Sequence, residues 1–304
     1  MANNETKPVR RSLGDLSEGT LGTLMLLPTA FLLCLIVVYP VGRLVYISLF
    51  DWRMNLPNAV PQFIGLEHYI YALTDDPKFW EAVYNTVLIT VITVPGALVV
   101  GLGLALLANL PFKHRWPTRL ALLLPWALPL VFAGLIFRWF FNYDYGLVND
   151  VLARFGIGKV LWGTEPNLAF ATICLVIIWK SSSFMAMILL AGLQTIPRNL
   201  YEAARVDGAT PWQCFWKITL PMLMPSIVVA LVFRTITAIQ TFDIPYAMTG
   251  GGPGGTTETL AMYIHKTTID FLDFGYGSAL AMLMFLVSLV ATIVYLRIIQ
   301  GDKE

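Results

Sequence analysis

The chain is written in long apolar blocks separated by short polar connections. The blocks run from Leu21 to Phe50, Val83 to Leu110, Leu120 to Phe141, Leu168 to Thr195, Ile218 to Phe242 and Gly275 to Leu296. Each reaches or exceeds the ~20 residues a helix needs to cross the hydrocarbon core of a bilayer. The pattern therefore predicts six transmembrane helices. Pro28, Pro40, Pro95, Pro125 and Pro129, with Gly96, Gly101 and Gly103, fall inside these blocks. Membrane helices tolerate such residues where neighbours satisfy the freed backbone groups, so bends and close helix contacts are expected there.

Four basic residues interrupt the blocks. Arg43 and Arg138 lie toward block ends, where a long side chain reaches the interface. Lys180 follows Asn167 by 13 residues, about 20 Å along a helix, and Arg234 is flanked by Thr235 and Thr237. An ammonium facing lipid at that depth costs at least a few kcal/mol. Both cations therefore face protein or a water-filled space. Two readings stand: they line a polar path, or they pair with a carboxylate such as Asp243 or with backbone carbonyls.

Orientation follows from the basic residues in the connections. With the N-terminus inside, the inner segments hold Lys7, Arg10, Arg11, Lys113, Arg115, Arg119, Arg198, Arg205, Lys217, Arg297 and Lys303. The outer ones hold Arg53, Lys78, Arg154, Lys159 and Lys266. Both termini and the 196–221 loop are then cytoplasmic. The first apolar run lacks a small-residue cleavage site and exceeds signal-peptide length, so it reads as a retained span.

Composition narrows the class. Hydrophobic residues make up 57% and charged residues 13%, against roughly 25% charged in a soluble domain. A net charge of +1 gives no dense basic face for nucleic acid. The spacing of Cys34, Cys174 and Cys214 fits no disulfide framework or metal cluster. His68, His114 and His265 fall in separate connections and read as surface histidines rather than one metal site. No connection is long enough for a further domain. The expected organisation is a single membrane domain over 21–299 between short tails, 1–20 and 300–304.

The loop over 196–221 carries the most specific local signals. Leu200 to Val206 are good helix formers, and Gly208 after Asp207 supplies a helix end. Thr210 fits an N-cap, Pro211 the first helical position and Gln213 the capping-box partner. The second helix then carries Trp212, Phe215 and Trp216, suited to a membrane interface. The first shows Ala203 and Ala204 beside Glu202, Arg205 and Asp207, a compact helix suited to a cleft in a soluble partner. A merely solvated connection fits the same local physics.

Glu202-Ala203-Ala204, three residues, Gly208, nine residues, then Ile218-x-Leu220-Pro221 resembles the EAA loop of binding-protein-dependent ABC importer permeases. Leu124-Pro125, Trp179-Lys180, Leu190 to Leu193, Phe242-Asp243 and Met248 to Pro253 extend the resemblance toward the sugar permeases of the maltose, trehalose and glycerol-phosphate type. The resemblance implies an all-α, type I importer permease fold in a prokaryotic cell membrane. It implies that Glu202, Ala203, Ala204, Asp207, Gly208 and Ala209 form a coupling helix seated in a cytoplasmic ATPase. It also implies a path lined by Lys180, Ser181 and Phe184 on one helix and Arg234, Thr237 and Thr241 on another, with Phe184 or Trp179 packing on a sugar ring.

The implied partners are a second permease, two ATPase subunits and an extracytoplasmic solute-binding protein. No G-x-x-x-x-G-K-[ST] phosphate loop occurs in the chain, so ATP and magnesium belong to the ATPase partners and no catalytic or metal residue is expected here. The glycine run Gly250 to Gly255 reads equally as a plain outer turn or as part of the face where a binding protein docks. The alternative function is an ion-gradient-driven secondary transporter, which needs intramembrane acids; Asp243 alone comes close.

Overall fold

The computed structural model describes residues 18–56, 60–110 and 116–301. Most of the two expected tails, and Lys113, His114 and Arg115, lie outside the described residues. The first span is α1 (Glu18–Leu33), continued through a π-helical turn into α2 (Tyr39–Ser48). A short ladder pairs β1 (Phe50–Asp51) with β2 (Gln62–Phe63), and α3 (Glu67–Thr74) follows. Then come α4 (Pro77–Asn109), α5 (Trp116–Ala127), α6 (Leu130–Phe140), α7 (Leu147–Arg154) and α8 (Pro166–Thr195). The remainder is α9 (Arg198–Val206), α10 (Pro211–Cys214), α11 (Leu220–Ile239), α12 (Asp243–Thr249), α13 (Leu260–His265) and α14 (Phe274–Gly301).

Among the described residues, five helical stretches are long and apolar enough to cross a membrane: Gly22–Ser48, Pro77–Asn109, Pro166–Thr195, Pro211–Ile239 and Phe274–Val294. The sixth expected span is not a straight rod. α5 and α6 meet at 92°, because Pro129 has no N–H for the carbonyl of Pro125, four residues earlier. A single helix over Leu120–Phe141 is thereby corrected to two half-helices.

The centre of the bundle is the α4–α8 pair. Ile89 packs with Ile173, a Cβ on Gly101 would lie 2.9 Å from Cβ of Met185, and Ala105 and Ala108 pack with Leu189 and Leu193. The paired numbers rise together, so the two helices run parallel. Ala97, Gly101 and Ala105 are fully or nearly buried, a stripe of small residues at four-residue spacing that lets the backbones approach closely. α11 closes on this pair through Gly192, where a Cβ would meet Ser226. α6 packs on α12, with Gly134 against Ala247. The apolar window of the first span buries nothing within the chain.

One carboxylate ties the start of α4 to α13 and α14. Asp76 caps α4 by accepting from the backbone N–H groups of Lys78 and Phe79 at 3.0 and 3.2 Å. It also accepts from the hydroxyls of Tyr263, at 2.6 Å, and Tyr276. His68 is buried, with Nε2 3.3 Å from the Phe50 carbonyl, which corrects its reading as a surface histidine. His265 is half-buried against Phe242 and Tyr246.

Candidate functional site

Two of the three serines after Lys180 are structural. Ser183 donates to the Leu122 carbonyl at 2.7 Å, and Ser182 to its own helix at Trp179. Lys180 is 7% exposed. Its Nζ donates to the carbonyls of Pro125, Trp126 and Leu128 at 2.7, 2.7 and 2.6 Å. These belong to the last turn of α5 and the link to α6, where the helix break leaves carbonyls without intrahelical donors.

Arg234 on α11 is 4% exposed. Nη2 donates to Thr93 of α4 at 2.8 Å and Nη1 to Thr237 at 3.3 Å. Among the described residues, its Nε has no hydrogen-bond partner. No salt bridge joins either cation to Asp243 among the described residues. Of the structural partners considered from sequence, backbone carbonyls hold for Lys180 and carboxylate pairing holds for neither.

Lys180, Ser181, Phe184, Arg234, Thr237 and Thr241 all line one cavity of about 630 Å³. The α5–α6 elbow, Trp126 to Leu130, lines it too, as do Gln240, Phe242, Asp243 and Ile244. The Thr237 and Thr241 hydroxyls donate to carbonyls of their own helix, which leaves oxygen lone pairs as acceptors. Phe184 stands edge-on to Phe233. Trp179 is not on this wall: it packs on Phe137 at 5.0 Å between centroids and lines a different cavity. The cavity offers a deeply buried cation, hydroxyls and aromatic faces, a donor set suited to a polyhydroxylated solute with an acidic group.

The residues of the 196–221 loop form a second unit. α9 has no buried residue. It ends as the spacing predicts: Gly208 takes φ +79°, its N–H reaches the Arg205 carbonyl at 3.1 Å, and the Ala209 N–H reaches the Ala204 carbonyl at 2.8 Å. This double closure is a Schellman motif. Thr210 and Gln213 form the expected capping box. The second loop helix is not separate, however, since α10 continues through a π-helical turn, Phe215–Thr219, into α11. Tyr201 bonds Thr219 at 2.9 Å, so α9 is anchored to the base of the helix that carries Arg234. Glu202, Ala203, Asp207 and Gly208 face outward, Ala204 and Ala209 are half-buried, and Val206 is 88% exposed.

Thr93, Asn85 and Val206 had no sequence signal. Thr93 is one threonine among many until α11 packs against it. Asn85 donates to the carbonyls of Gly255 and Glu258 at 2.9 and 3.0 Å. The glycine run is thus a folded loop tied to α4, with positive φ at Gly250, Gly251, Gly254 and Gly255.

Residues 94–301 match the model of the binding-protein-dependent transport system inner membrane component. The chain is 66% identical over 287 residues to the sulfoquinovosyl glycerol transport system permease SmoG of Agrobacterium fabrum, covering 94% of this chain and 92% of that protein. It is 39% identical over 281 residues to the trehalose/maltose transport system permease MalF of Thermococcus litoralis, covering 92% and 94%. A chain of a bacterial ABC transporter that imports the acidic polysaccharide alginate superposes with TM-score 0.81 at 24% identity, over 96% of this chain and 99% of that one. The likeness shows a shared type I permease fold, and the family does no enzyme chemistry itself. The chain belongs to the binding-protein-dependent transport system inner membrane components, as a multi-pass permease subunit of an ABC importer.

Proposed function

We propose that this permease imports a sugar bearing an acidic group, of the sulfoquinovosyl glycerol class, through the cavity between the α5–α6 elbow, α8 and α11. The observation that carries this is Arg234, a cation buried in the cavity wall whose Nε has no hydrogen-bond partner among the described residues. A sulfonate or carboxylate in the cavity gives the guanidinium a charge-assisted acceptor. Phe184 and Phe242 supply ring faces, and the threonine oxygens accept from sugar hydroxyls. The 66% identical relative is named for an anionic glycoside, which supports the same chemistry.

A second permease completes the path, with both termini cytoplasmic. Two ATPase subunits bind ATP and magnesium and hold the outward face of α9 around Glu202, Ala203, Ala204, Asp207, Gly208 and Ala209. An extracytoplasmic binding protein delivers the solute. Closure of the ATPase dimer pulls α9, and Tyr201 carries that displacement to the foot of α11 and so to Arg234.

The test is uptake of labelled sulfoquinovosyl glycerol into proteoliposomes holding the purified complex, with binding protein outside. Uptake that needs lumenal ATP and competes poorly with a neutral glucosyl glycerol is the expected result. Uptake that prefers the neutral analogue overturns the anionic class, and uptake driven by an ion gradient without ATP overturns the importer mechanism.

A further inference from the structure

We infer that Lys180 is a positioning residue: its ammonium clamps the broken end of α5 and so sets the shape of the solute cavity, rather than binding the solute. An ammonium has three N–H donors. All three of Lys180 point at carbonyls, those of Pro125, Trp126 and Leu128, within 2.6–2.7 Å. No donor is left for a ligand.

The need for the clamp follows from the sequence. In a continuous helix the Pro125 carbonyl accepts from residue 129, which is proline here and has no N–H. The turn at Leu128 and Pro129 removes further donors, and carbonyls in an apolar surround are costly without partners. A cation also suits a helix C-terminus, where the peptide dipoles concentrate negative potential. The Trp126 to Leu130 elbow that the clamp holds forms one wall of the cavity. Ser183 adds a neutral stitch from α8 to Leu122 on the same helix.

The transport part of this inference rests on the proposed importer function; its stability part does not. The experiment compares the full complex carrying Lys180→Met, Lys180→Arg or Lys180→Met with Pro129→Ala, measuring thermal melting in detergent and uptake kinetics for the anionic solute and its neutral analogue. Lys180→Met is expected to lower the melting temperature and to reduce maximal uptake of both solutes by the same factor, with Lys180→Arg recovering part of each. Adding Pro129→Ala restores an N–H opposite the Pro125 carbonyl, so melting recovers while uptake does not, because the elbow straightens.

A Lys180→Met variant with unchanged melting and a raised KM for the anionic solute alone overturns the inference and makes Lys180 a ligand. Failure of the double variant to recover any melting overturns it as well. Should the wild type fail to import either solute, the proposed function falls while the melting comparison still decides the clamp.

Discussion

Arg234 on α11 and Thr93 on α4 are joined by a 2.8 Å hydrogen bond between residues 141 positions apart in the chain. Thr93 is fully buried, so the bond holds the guanidinium in the cavity wall. Arg234→Gln should raise the KM for the anionic solute by about tenfold or more, as expected for losing a hydrogen bond to a charged group worth ~1.5–3 kcal/mol. Thr93→Val keeps the shape and removes the acceptor, so a smaller, several-fold rise is expected. Uptake of the neutral analogue should change little in either variant, and an equal loss for both solutes would remove Arg234 from solute recognition.

Gly208 holds φ +79° with open space around the position a Cβ would take. Gly208→Ala is therefore limited by backbone strain alone, roughly 1–2 kcal/mol, and loosens the end of α9. ATPase activity stimulated by solute-loaded binding protein should fall while the helical content of the permease stays normal. Val206→Asp puts charge on the most exposed apolar side chain of α9 and should weaken co-purification of the ATPase subunits. Normal stimulated activity in both variants would refute docking through α9.

Gly101 has no room for a side chain, since an added Cβ would lie 3.0 Å from the Ser182 carbonyl as well as against Met185. Gly101→Leu should force α4 and α8 apart and destabilise the subunit by at least ~1–3 kcal/mol, the range for overpacked cores. Gly103, two residues on and so on the opposite side of α4, has nothing within 4 Å, so Gly103→Leu is the matched control and should melt like wild type.

The tie at Asp76 predicts an alkaline dependence. Burial, followed by the hydrogen bond to Asp76, pushes the Tyr263 phenol above its ordinary value. The folded state thus holds this proton more tightly than the unfolded one, so the stabilisation is complete below the ordinary tyrosine pKa of ~10 and is lost as pH rises beyond it. Melting of the wild-type subunit should fall steeply above about pH 10. Tyr263→Phe should melt lower at neutral pH and lose less over the alkaline range; parallel curves for the two would count against the assignment.

The class of the molecule is legible in the linear chain. Long apolar blocks, few charges and the EAA spacing are properties of the linear chain, because bilayer thickness sets span length and capping chemistry acts within a few residues. Gly208, Thr210 and Gln213 behave as their local context requires. The six residues taken as the solute path do share one cavity, since each of the two helices repeats its polar residues at helical spacing.

Tertiary structure alone decided what those residues do there. Lys180 meets carbonyls more than 50 positions earlier, and no local pattern shows that Pro129 would turn a span through 92° rather than bend it slightly. His68 became buried and Trp179 turned to another wall for the same reason. Apolar pattern fixes which residues leave water, but which buried donor meets which orphaned acceptor depends on how the helices stack, and that is written in no single stretch of the chain.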